Sequence, residues 1–444
     1  MRADDERAPF DVAIVGGGIL GATVAYWLST LYHGERIAVI ERERAVAQHT
    51  SGRNTGVIHR PFYLDPGTRR RAARAAQAAY SLWKSFAVKK RLPWNEVGTI
   101  ELALDEYQLA ALERYQRYAA ANGMDAHEVE LLTADQVKTI EPHVHCLGAL
   151  WCKTDTAVDF GSLTAHLAAE AQANGVQFVM ADGVDRIEER GDALVLRCAS
   201  GRRLSARFLI NGGGGHAIDI AHGMGVAGGY TDLHFRGDYW VVDPAHAGLA
   251  SRNIYTVPVH GEFPFLDPHW IVRWNGQVEI GPNAVPVSHP HLYRGIIGNP
   301  LTALRKLAER PISNKLKLLS NPDFLSLALA EWRSALCRRA MVERVRRFLP
   351  ELKPDWLIRR GVPGVRSSVI DGRGRFVADA LEIEGPKSVH VLNYNSPGAT
   401  GAPAFAASLV RRLIDAGKLD HAKRKSCPDG RIWDFERVAA LLQS

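Results

Sequence analysis

Apolar positions along the chain fall into two periods, and the change between them marks out the elements. Asp11 to Val15 (DVAIV) is a short β-branched run, read as a strand buried on both faces. Ala22 to Leu31 reads as a helix with small residues toward a sheet, and Arg36 to Ile40 as a second apolar strand. Between strand and helix lies GGGILG, which puts Gly16, Gly18 and Gly21 in G-x-G-x-x-G spacing, and the second strand ends at Glu41. Strand, glycines, helix, strand and acid in this order predict a dinucleotide site. Gly16 allows the tight turn, Gly18 lets a pyrophosphate approach the backbone, and Gly21 permits close helix–strand contact. Ile19 and Leu20 open the helix, whose first N–H groups face the phosphates. Glu41 is expected to accept from a ribose hydroxyl, with Arg42 beside it.

Beyond Glu41 the pattern stops being a simple alternation of strand and helix. Ser51 to His59 is a polar, glycine-punctuated loop, followed by a basic helical stretch from Arg69 to Lys90 and a helical hairpin region around Leu109, Leu112 and Leu132. Thr133 to Gln136 is a capping-box signature. Asp159 opens a helix with Leu163, Leu167 and Ala171 on one face, and Gly175 is its expected stop. Val176–Val179, Ala193–Cys198 and Arg207–Ile210 read as strands, the last running into Asn211 and four glycines, Gly212 to Gly215. Residues 226–300 alternate aromatic and apolar positions with turns, the mark of antiparallel sheet. Residues 301–349 are helical and basic, Val389–Leu392 is a last strand, and Gly398–Leu413 is a turn entering a helix. The fold class expected is α/β with an α+β insertion. A Rossmann-type nucleotide domain is split over 10–80, 150–225 and 360–420. An antiparallel-sheet substrate domain (81–149 and 226–359) is interleaved with it, and 421–444 form a C-terminal extension.

Composition narrows the class without changing this picture. The 444 residues are 46% hydrophobic and 23% charged, the balance of a globular chain with a large core. A net charge of +7 is mild at this length and suits an anionic ligand or an acidic surface. The five cysteines are scattered without C-x-x-C spacing, so neither a zinc site nor a disulfide framework is implied. MRADDERAP has no apolar h-region and no run of eighteen apolar residues occurs, so a cytoplasmic setting is expected. The segment Trp332–Leu349 leaves peripheral contact with the inner face of a membrane open. There Leu336, Ala340, Val345, Phe348 and Leu349 form an apolar stripe beside Arg338, Arg339, Arg346 and Arg347. No motif supports nucleic-acid binding.

The blocks SGRNTGVIH, HFRGDYWVV, NIYTVPV-x-x-x-FPFL-x-x-H, IGPNAV, GVPGVRSSVIDGRG and NSPGATGA carry a resemblance. From residue 10 to 415 the chain resembles the FAD-dependent oxidoreductases of the D-amino-acid oxidase superfamily, and among them the L-2-hydroxyglutarate dehydrogenases, also described as oxidases. The resemblance implies FAD and a sheet-rich domain over the flavin. It also implies oxidation of a C–H next to a hydroxyl or amine, by hydride transfer to flavin N5. The substrate implied is a small anionic L-2-hydroxy acid such as L-2-hydroxyglutarate, converted to the 2-oxo acid, with electrons passed to a quinone, another acceptor or oxygen. Two other readings are an amino-acid or secondary-amine oxidase, and a flavoprotein with an assembly or regulatory role. The chain departs from the family pattern at Arg60-Pro61-Phe62-Tyr63, near the expected substrate.

Arg366 matches the strand that carries the substrate-binding arginine in related amine oxidases, and a planar guanidinium suits bidentate carboxylate capture. Arg236 is a candidate for a second carboxylate, with Asp238 two residues on as a competing partner; Tyr239 adjoins it, and Arg60 is a third cation. His59 and His269 are the base candidates, since histidine accepts a proton near neutral pH. Thr50, Ser51, Asn54, Thr55 and Gly56 are expected to contact the flavin, as are Val184, Gly212, Gly213 and Arg366. In the turn Ser396, Pro397, Gly398, Ala399 and Thr400, N–H groups at a helix start would face the N1/C2=O edge where charge develops on reduction. No residue is assigned to a metal or to a covalent flavin link.

Overall fold

The run Phe10–Val15 becomes the centre of an eight-stranded sheet, flanked in parallel by Ile37–Ile40 and Arg203–Asn211. Parallel order extends outward to Gln177–Val179 on one side and Ser388–Leu392 on the other. Strands so placed must be apolar on both faces, and Ile37–Ile40 is buried throughout. The helices Ile19–Leu31, Phe160–Ala173 and Gly398–Asp415 pack into the largest core of the molecule, with Asp159 capping the second of them as expected. The computed structural model describes residues 8–259, 263, 267–295, 297–426 and 432–442. Pro264, Phe265 and Leu266 of the FPFL block, and Cys427, lie outside the described residues.

A second eight-stranded sheet runs in the order Leu357–Arg360, Trp240–Val242, Val278–Gly281, His269–Val272, Asn253–Thr256, Thr99–Ala103, Gly148–Cys152, Val129–Thr133. It is antiparallel except between Asn253–Thr256 and Thr99–Ala103, which run parallel. Those two strands belong to different excursions of the chain, so no hairpin forces them antiparallel. The boundary expected at residue 150 falls inside Gly148–Cys152, a strand of this sheet. A third sheet, Val285–Val287, Thr231–Gly237 and Gly364–Ile370, joins segments expected in both domains.

Residues 300–345 form four helices, Pro300–Leu307, Ile312–Leu319, Pro322–Leu336 and Arg338–Val345. The chain turns extended at Cys337 (φ −119°, ψ 111°), so the continuous helix expected over 332–349 is broken. Leu336 is 78% exposed, whereas Ala340, Val345, Phe348 and Leu349 are buried, the last three in the core under the second sheet. The stripe read as a membrane face is mostly core, because those side chains cover a sheet. The exposed apolar residues sit on the preceding helices instead: Leu301, Leu304, Leu307, Ile312, Leu316, Leu325 and Leu329. No helix among the described residues is long and apolar enough to cross a membrane.

Candidate active site

Two glycine loops meet at the carboxyl ends of the central parallel strands. Gly16 has φ +101°, and a Cβ there would lie 2.5 Å from the Gly212 carbonyl oxygen. A Cβ on Gly21 would run into the Gly16 carbonyl. The backbones touch because no side chain intervenes. Gly18 stands at the N-cap of Ile19–Leu31 without a capping side chain; Ser51 Oγ accepts from the Ile19 N–H at 2.9 Å. Glu41 is held by two backbone donors, Gly17 N–H at 2.6 Å and Glu43 N–H at 2.8 Å, one to each carboxylate oxygen. Each oxygen keeps a lone pair for a ribose hydroxyl.

From these loops one cavity of about 850 Å³ runs to the underside of the second sheet. Glu41, Arg42 and Val184 line its outer end; Thr50, Asn54, Thr55, Gly212 and Gly213 line the middle; Ser396, Pro397, Ala399 and Thr400 line the inner end. Gly21, Gly56 and Gly398 stand behind this wall. The cradle that added Cβ atoms would fill, the helix N-terminus and the buried acid fit a dinucleotide laid along the cavity.

His59, His269, Arg366 and Tyr239 all line the inner end. His59 Nδ1 lies 3.0 Å from Asp155 Oδ2. Asp155 is wholly buried and also accepts from Thr99 Oγ1 at 2.8 Å and the Arg60 N–H at 2.7 Å. A carboxylate so placed accepts a hydrogen bond from Nδ1–H, the tautomer that leaves Nε2 with a bare lone pair. His269 stacks under Tyr255 with ring centroids 3.7 Å apart and is 2% exposed. Neither of its nitrogens has a partner among the described residues, nor has the Tyr255 hydroxyl. Burial, then the neighbouring His59, Arg344 and Arg366, hold His269 well below the usual histidine range, so it is neutral. Buried orphans that line a cavity are positions for a ligand's polar groups.

Arg366 comes from Gly364–Ile370, opposite Phe235 of the neighbouring strand. Burial lowers its proton affinity, and the nearest phenols, Tyr239 and Tyr63, are themselves pushed by burial to about 12 and so stay neutral. Two other candidate arginines are engaged within the protein. Arg60 points away from the cavity and grips Glu128 with both ends of its guanidinium, at 2.5 and 3.0 Å, with Tyr80 under its face. Arg236 is closed off by Asp238 at 2.8 and 3.1 Å and by the Gly295 carbonyl. Neither lines the cavity, because each has its counter-charge in the protein. Tyr255 and Tyr63 stand in the NIYTVPV block and the Arg60–Tyr63 segment without having been given a role, whereas Asp155 had no motif to reveal it and meets His59 across 96 positions of sequence.

Residues 11–412 match the protein-family model described as FAD dependent oxidoreductase. The L-2-hydroxyglutarate dehydrogenase of Salmonella houtenae is 30% identical over 404 residues, covering 91% of this chain and 93% of its own. The mitochondrial L-2-hydroxyglutarate dehydrogenase of Caenorhabditis elegans is 30% identical over 419 residues, with 92% and 94% covered. Among solved structures, dithionite-reduced L-alpha-glycerophosphate oxidase from Mycoplasma pneumoniae with FAD bound has a TM-score of 0.70 at 21% identity, covering 96% of this chain and 100% of that one. Glycine oxidase from Geobacillus kaustophilus has a TM-score of 0.66 at 17% identity, with 95% and 97% covered. Both share the fold.

Proposed function

This chain belongs to the FAD dependent oxidoreductase family, and we propose that within it the chain oxidises an L-2-hydroxy acid, L-2-hydroxyglutarate first, to the 2-oxo acid. The observation that carries this reading is the pairing of His59 with buried Asp155 in the same cavity end as Arg366. Arg366 binds the carboxylate next to the reacting carbon, and His59 Nε2 takes the hydroxyl proton. The C2 hydrogen leaves as hydride with the bonding electron pair, and C2–OH becomes C2=O. The bound flavin supplies the two-electron acceptor. His59 is the base rather than His269 because the base must hold a positive charge. Asp155 stabilises an imidazolium at His59, while the charges nearest His269 are positive. His269 and Tyr255 serve as neutral hydrogen-bonding walls for the rest of the substrate.

The electrons then pass to a quinone or another acceptor. Peripheral membrane contact is carried by the helices between Pro300 and Leu336, not by the segment after Cys337. Their exposed leucines stand beside exposed Arg305, Arg310, Lys317 and Arg333, the pairing that suits an anionic bilayer surface.

The test is an anaerobic visible spectrum of the purified holoprotein before and after L-2-hydroxyglutarate. Bleaching of the flavin with release of 2-oxoglutarate and no ammonia supports the reading. Bleaching only by amino acids, with ammonia released, replaces it with amine oxidation. A spectrum unmoved by every 2-hydroxy and amino acid overturns catalysis altogether.

A further inference from the structure

The inner end of the cavity gathers one more cation, from a stretch legible in sequence only as a basic helix. Arg69 stands at the start of the helix Arg70–Lys90, and its Nη2 donates to the Ser396 carbonyl at 2.9 Å. Ser396 lines the cavity at the same end as His59 and Arg366. Arg69 itself lines a small adjoining recess, which shares Asn393, Tyr394, Asn395 and Pro397 with the cavity wall.

Arg60 and Arg236 have their counter-charges in the protein, and Arg69 does not. Among the described residues no carboxylate pairs with it, and its Nε is buried without a partner. A buried N–H of a charged group stays costly until an acceptor reaches it. The Tyr63 ring stands edge-on to His59 with centroids 6.2 Å apart. The charges of Arg69 and Arg366 both act on the Tyr63 phenol, and they act on one another. Arg69, Arg366 and His59 are thus grouped around one side chain.

We infer that Arg69 binds the second carboxylate of a dicarboxylic substrate, so that the site selects acids charged at both ends. The inference rests on the reading of Arg366 as ligand of the carboxylate next to the reacting carbon. Two neighbouring guanidinium charges repel; an acid with a carboxylate at each end balances both, and a monocarboxylic acid leaves Arg69 unbalanced. Ser396 occupies one N–H of the fork, which leaves Nε–H and the remaining N–H groups to a carboxylate. Held at both ends, the acid presents its C2 hydroxyl to His59 in one orientation.

The test titrates holoprotein by calorimetry with glutarate and with pentanoate. Both match the substrate in chain length and lack its hydroxyl, and they differ in the second carboxylate. Glutarate is expected to bind the parent at least about tenfold more tightly. Arg69→Gln, whose amide can still donate to the Ser396 carbonyl, is expected to lose that preference while pentanoate binding stays within about twofold. In turnover, the same variant is expected to raise KM for L-2-hydroxyglutarate and not for L-2-hydroxypentanoate. Arg69→Lys keeps a charge without the fork and is expected to weaken the preference at least about threefold; it decides should Arg69→Gln lose its flavin. A preference undiminished in these variants, or absent from the parent, overturns the second-carboxylate site. A preference that depends on Arg69, in a parent whose flavin L-2-hydroxyglutarate does not bleach, supports the site and overturns the reaction instead.

Discussion

Asp155 does not line the cavity, yet in the proposed reaction it is the counter-charge beside His59. Asp155→Asn keeps the shape and removes the charge that holds an imidazolium. It is expected to lower kcat about 100- to 1,000-fold, inside the range for a positioned base, with KM little changed. Steady-state kinetics at one pH check this; a parent-like kcat, or a rise in KM alone, would reduce Asp155 to a structural role. Glu101 behaves oppositely. Burial first, then the charges of Asp155 and Asp267, push its carboxyl up to about 8. The folded protein then holds a proton that the unfolded chain releases near pH 4.5, so stability falls as pH rises from there to about 8. Glu101→Gln is expected to flatten that slope, by up to about 1.4 kcal/mol per pH unit, in thermal melts between pH 5 and 8. Single residues were legible only in part. His59, His269 and Arg366 stood in specific blocks and all reach the cavity. Arg60 and Arg236 looked equally cationic in sequence, but their partners Glu128 and Asp238 decide where a guanidinium points, and for Arg60 that partner is 68 positions away.

At the scale of elements, the glycine loop was the most legible part, because its conformational demand is local. Gly21→Ala puts a methyl group against the Gly16 carbonyl, and the protein is expected to purify with little or no flavin while keeping its far-ultraviolet dichroism. The helices between 300 and 349 were less legible. Nothing at Cys337 resembles a stop, since neither proline nor glycine stands there, and the apolar period continues through it. The break follows from the need of Val345, Phe348 and Leu349 to cover the second sheet, a demand set by residues far away. The exposed leucines before the break carry the membrane prediction. Leu304→Glu with Leu329→Glu, both 62% exposed in the parent, is expected to abolish cosedimentation with vesicles rich in anionic lipid. Flavin reduction by substrate in solution should be unaffected. Parent protein that ignores such vesicles would remove the membrane contact.

Across the whole molecule, the antiparallel strands after residue 226 were visible as a change of period, while the closing contacts were not. The segment expected as a C-terminal extension returns to the first core. Trp433 packs edge-on to Tyr26 at 5.4 Å and to Trp83 at 5.9 Å, and Phe435 packs against Trp27 at 5.5 Å. Trp433→Ala is expected to cost about 3–5 kcal/mol, seen as a lower melting temperature with flavin released early. No local pattern announces such a contact, since its partners lie hundreds of residues upstream. The same long reach governs how the protein is made. Phe10–Val15 leaves the ribosome well before its neighbour Arg203–Asn211 and the cavity wall at Ser396–Thr400. At roughly 5–20 residues per second, the two opening strands wait for tens of seconds with apolar faces bare. The newborn chain is most exposed to aggregation in that interval, because the strand that completes the centre of the sheet and the wall that closes the cavity have yet to be made.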